Sequence, residues 1–104
     1  LSAIQLTTAA GVVAVLELTL TFYAESLKDK RSVVKRVLAR TRNEFNVSAA
    51  EVDELDNPGG AVVAFCSVGP DRQYLEGQLQ RVEDFVDRLE IAEIVDVHRE
   101  LLNV

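Results

Sequence analysis

The sequence is short of the residues that carry covalent and metal-centred chemistry. It has one cysteine, Cys66, one histidine, His98, and no tryptophan or methionine. A lone cysteine makes no internal disulfide, which fits a reducing cytoplasm. One thiol and one imidazole far apart in the chain do not supply the matched ligands of a metal site, so neither a metal nor another cofactor is expected. A Gly-rich phosphate loop, a G-x-S-x-G elbow and an H-E-x-x-H pair are all missing. Cys66 closes the apolar run Ala61-Val62-Val63-Ala64-Phe65-Cys66 and reads as a small buried hydrophobe. His98, between Asp96 and Glu100 in an alternating stretch, reads as an exposed strand residue. No catalytic residue is assigned, and a non-enzymatic role is favoured.

Glycine and proline are also scarce, at five and two, while 48% of residues are hydrophobic. That composition belongs to a folded domain and not to a disordered chain. With 104 residues there is room for one core. The apolar run Ala9 to Leu16 is interrupted by Glu17, well short of the ~20 residues that span a bilayer. No basic segment precedes it, so neither a membrane anchor nor a signal peptide is expected. Residues 1–10, which contain no methionine start, are read as an N-terminal arm of undetermined status, and residues 11–104 as a single domain.

Six periodic segments follow. Leu16, Leu18, Leu20 and Phe22 alternate with Glu17, Thr19 and Thr21, which predicts a half-buried strand over Val12 to Phe22. Ser26-Leu27-Lys28-Asp29 is a capping box. The helix it opens carries Val34, Val37, Leu38, Thr41 and Phe45 on one face and stops near Asn46. Val47 to Leu55 and Ala61 to Val68 read as a hairpin around the turn Asp56-Asn57-Pro58-Gly59-Gly60. After Gly69-Pro70-Asp71, a second amphipathic helix places Leu75, Leu79, Val82, Val86 and Leu89 on one face. Ile91 to Leu101 closes the chain as a strand. The order β-α-β-β-α-β predicts an α+β, ferredoxin-like fold: a four-stranded antiparallel sheet, order 4-1-3-2, with both helices on one face.

Charge is strongly segregated. Between Ser26 and Phe45 lie seven basic and two acidic residues, net +5; the remaining residues carry four and fifteen, net −11, for an overall charge of −6. On a helical projection Lys28, Arg31, Lys35 and Arg42 form one stripe, Arg36 and Arg40 lie further round, and Lys30 falls near the capped end. A basic stripe of this kind tracks phosphates. The five candidates for nucleic-acid binding are therefore Lys28, Lys30, Arg31, Lys35 and Arg42. The competing reading is a solvated helix face that balances the acidic second helix, with Glu76, Glu83, Asp84, Asp87 and Glu90. The sheet face left open by the helices is expected to carry Glu17, Thr19, Thr21, Asp96, His98 and Glu100 together with Val13 and Val15. It lacks the aromatics on which RNA-recognition domains stack bases. Valines in such a face suit a second protomer instead.

Several segments together resemble one family. They are Val15-Leu16-Glu17-Leu18; Ser26-Leu27-Lys28-Asp29-Lys30-Arg31; Phe45-Asn46-Val47-Ser48-Ala49-Ala50-Glu51-Val52-Asp53; and Val95-Asp96-Val97-His98-Arg99-Glu100-Leu101. From about Val12 to Leu102 the chain resembles the bacterial YlxP-like family of small ferredoxin-like domains, which has no established activity. Genes of that family often lie beside those for translation initiation and 30S maturation. The resemblance thus implies a cytoplasmic factor associated with rRNA or the 30S ribosomal subunit, a warrant of context and not of chemistry. The chain departs from the family pattern in its longer start, in a hairpin turn without an aromatic, and at His98, where an acid is common. The alternative to a ribosome-associated factor is a homodimeric interaction module that uses the open sheet face.

Overall fold

A computed structural model describes residues 10–104. The six elements are β1 (Val12–Thr21), α1 (Leu27–Glu44), β2 (Ser48–Asp53), β3 (Gly60–Gly69), α2 (Arg72–Leu89) and β4 (Glu93–Asn103). The strands form one antiparallel sheet in the order β2-β3-β1-β4, the order the sequence predicts. Apart from Ala10, the expected N-terminal arm lies outside the described residues.

Alternation in β1 sets the architecture. Val12, Ala14, Leu16, Leu18 and Leu20 are buried beneath the helices, while Val13, Val15, Glu17 and Thr19 are half-buried on the other face. Val34 and Val37 from α1 and Leu75, Leu79, Val82 and Val86 from α2 join Val63 and Phe65 in the same core. Both helices therefore cover one face. Phe45, at the end of α1, meets Phe85 of α2 edge-on at 5.5 Å.

Both helix starts are capped as their sequences require. Ser26 Oγ accepts from the Asp29 N–H at 3.1 Å, and the Asp29 carboxylate reaches back to the Glu25 N–H at 3.1 Å. In α2 the Asp71 carboxylate accepts from the N–H groups of Gln73 and Tyr74, at 3.0 and 3.3 Å.

Three details differ from the sequence expectation. β2 stops at Asp53, after an irregularity between Glu51 and Asp53, because the chain turns at Glu54 in a left-handed conformation, φ 61°. β4 begins and ends two residues later than expected, since its C-terminal end must pair with the start of β1, Asn103 opposite Val12. A register shift near Thr19 and Leu20 leaves Val95 as the extra residue of β4. Val95 then faces Thr19, Thr21 and Val62 on the open side, whereas Val97 sits opposite Leu18 on the helix side. Simple alternation had placed the two valines together.

The open face is also less acidic than β1 and β4 alone suggest. Cross-strand pairing puts Val62, Ala64, Cys66 and Val68 of β3 beside Thr19, Glu17, Val15 and Val13. An all-apolar central strand contributes to both faces, so half of the open face is apolar, and the acids gather at Glu17, Asp96 and Glu100.

Candidate nucleic-acid interface

α1 packs over β2 and β3, and its basic residues project away from the core. Lys28, Arg31, Lys35 and Arg42 are all exposed, as are Arg36 and Arg40. At 1.5 Å per residue the stripe from Lys28 to Arg42 extends about 21 Å. Its C-terminal end is fixed to the sheet: Arg42 Nη1 donates to the Ala49 carbonyl of edge strand β2 at 3.2 Å. Among the described residues, none of these six cations forms an ion pair. The acids of α2 find other partners, Glu76 with Arg72 at 3.8 Å and Glu83 with Arg99 at 2.6 Å. The expected balance between a basic α1 and an acidic α2 thus takes no paired form.

Lys30 leaves the predicted set. It is 1% exposed, and its Nζ lies 2.9 Å from Glu51 Oε2 in an ion pair. The same ammonium donates to the Glu54 carbonyl. It points beneath the helix into the seam with β2, where no phosphate reaches it. The sequence held the signal: Lys30, Val34, Val37 and Thr41 follow i, i+4, i+7 and i+11, so Lys30 belongs to the apolar row. Glu51, opposite the buried Val63, turns to the same side.

Sequence reasoning missed a feature at one end of the molecule, where α1 ends and α2 begins. A groove of about 420 Å³ runs past Val13, Ser48 and Cys66. It shares Asn46, Ser67 and Val68 with a smaller one of about 220 Å³ that continues to Asp71, Tyr74 and Gln78. Gln78 is a polar residue in the apolar row of α2, between Leu75 and Leu79, and it is only 8% exposed. That spacing was legible in the sequence. Across α2 the Arg81 guanidinium lies 5.5 Å from the centre of the Tyr74 ring.

Residues 13–99 match the family model described as "Protein of unknown function (DUF503)". The chain belongs to this family. Within it, the "Uncharacterized protein YlxP" of Bacillus subtilis (strain 168) is 42% identical over 64 residues, covering 62% of this chain and 70% of that protein. The YlxP-like resemblance is thereby borne out. Among solved structures, the de novo designed protein Foldit4 aligns with a TM-score of 0.52 at 19% identity, over 90% of this chain and 98% of the design. That likeness shows the fold alone. Among the described residues of this DUF503 chain, no helix is long and apolar enough to cross a membrane.

Proposed function

We propose that this DUF503 protein is a non-enzymatic RNA-associated factor that binds phosphates of rRNA in the 30S subunit through Lys28, Arg31, Lys35 and Arg42. The observation that carries the reading is a stripe of four exposed cations without ion-pair partners among the described residues, on a molecule of net charge −6. The acidic remainder disfavours indiscriminate adhesion to nucleic acid and leaves the stripe as the local attractor. A pull-down of the tagged protein from lysate, with and without nuclease, tests it. Recovery of small-subunit proteins and rRNA that nuclease abolishes is the expected result. A nuclease-insensitive or empty pull-down overturns the reading.

A second reading is favoured by the open sheet face: self-association of two copies. Val13, Val15, Val62, Ala64, Cys66 and Val68 adjoin one another across β1 and β3, and Val68 is 70% exposed. A two-fold axis over β3 sets apolar surface on apolar surface and leaves the β4 acids at the rim. Light scattering is expected to show a concentration-dependent dimer that Val68→Glu returns to monomer. A parent that stays monomeric at high micromolar concentration excludes this reading.

A further inference from the structure

We infer that the smaller groove, between the end of α1 and the start of α2, takes a single unpaired nucleobase of the bound RNA. This inference rests on the RNA reading above and extends it from phosphates to a base. It starts from Gln78, which lines the groove and is 8% exposed. Its amide oxygen has no hydrogen-bond partner among the described residues. Buried acceptors are nearly always satisfied, so one facing a groove calls for a ligand N–H.

The surroundings decide what kind of ligand. An anion is excluded: the Asp71 carboxylate already takes the free N–H groups at the start of α2, and it brings its own negative charge. A cation is opposed by Arg81, whose guanidinium lies against the Tyr74 ring. What remains is a neutral, flat, hydrogen-bonding group. The amides of Asn46 and Gln78 and the Ser67 hydroxyl suit its polar edge, and the Tyr74–Arg81 pair offers a stacking surface beside it. At about 220 Å³ the groove is smaller than the roughly 300–1,000 Å³ of pockets that enclose drug-sized ligands, and one ring fits better than a whole nucleotide.

Gly77 supports the stacking surface. It lies between Tyr74 and Arg81 on α2, and a Cβ there would come within 3.2 Å of Arg81 Nη1. Glycine is poorly suited to a helix interior, yet here it leaves the space across which the guanidinium lies. The groove also follows directly from the stripe. Arg42 holds the carbonyl of Ala49, the preceding residue, Ser48, lines the larger groove, and that groove shares Asn46 and Ser67 with the smaller one.

The test uses the whole protein, labelled with nitrogen-15, titrated with each of the four ribonucleosides to several millimolar. At least one nucleoside is expected to shift the side-chain amide resonances of Gln78 and Asn46. Gln78→Leu and Tyr74→Ala should each weaken that nucleoside about tenfold. Gly77→Ala should raise the melting temperature by about 4–8 °C through helix propensity while weakening the nucleoside. A purely structural Gly77 would not produce that split. Reversing Lys35 and Arg42 to glutamate should leave nucleoside binding unchanged. If no nucleoside moves the groove resonances, or the shifts fall elsewhere, the base site is wrong even where RNA binding remains salt-sensitive. If nucleosides bind but RNA binding ignores the stripe, the phosphate reading fails and the base site stands.

Discussion

Replacing Lys35 and Arg42 together by glutamate is expected to abolish co-sedimentation with 30S particles while the domain stays folded. Both side chains are exposed and neither contributes to the core. The double change removes the Arg42 hydrogen bond to Ala49 at the exposed edge of β2, so stability should fall by less than about 1 kcal/mol. If all four stripe residues meet phosphates, RNA affinity of the parent should fall with salt at a log–log slope of about −2 to −3, from roughly −0.7 per phosphate on single strands. Removing two phosphate partners should bring that slope to about −1.4, before the repulsion from two new carboxylates is added. Arg72→Glu and Arg88→Glu on α2 are the matched controls and should change affinity by less than about twofold. A double variant that co-sediments like the parent, or a parent that never does, leaves the basic helix as solvated surface.

The fold was legible because its signals are local and repeated. Period-two alternation in β1, the Ser26 cap and the Asn-Pro-Gly-Gly turn each act within a few residues and agree with one another. What alternation alone could not supply was register. A shift near Thr19 moved Val95 to the open face, and an irregularity after Glu51 shortened β2. Both arise from pairing between strands, which no single-strand window contains. The basic stripe was legible for the same reason as the fold, since charge and helical spacing are both local. Lys30 was misplaced because its charge was weighed above its position in the apolar row, although Val34, Val37 and Thr41 marked that row. The grooves at the end of the sheet were hidden, since Asn46, Ser67 and Gln78 come from three separate segments that only the tertiary fold brings together.

Lys30 carries the largest expected effect on stability. An ammonium that is 1% exposed is held by the Glu51 carboxylate and the Glu54 carbonyl, and so ties the start of α1 to the end of β2. Glu54 needs this support. It sits at φ 61°, a left-handed conformation that costs a non-glycine residue about 1–2 kcal/mol. Lys30→Ala leaves Glu51 without its counter-charge and opens a cavity under α1. Removing one partner of a buried pair costs about 3–5 kcal/mol, a large part of the roughly 5–15 kcal/mol that holds a domain together. Urea unfolding should show that loss, and the melting temperature should fall by at least about 12 °C at about 4–8 °C per kcal/mol. The double variant Lys30→Met with Glu51→Leu should recover most of the stability, because an apolar pair of similar volume replaces a charged one. Hydrogen exchange in Lys30→Met should speed first in the β2–β3 hairpin, where the ammonium is anchored. The same variant, below its melting transition, should keep the parent's salt slope for RNA, because Lys30 does not face solvent. A Lys30→Met protein that melts with the parent yet loses about 0.7 from that slope would return Lys30 to the phosphate-binding stripe.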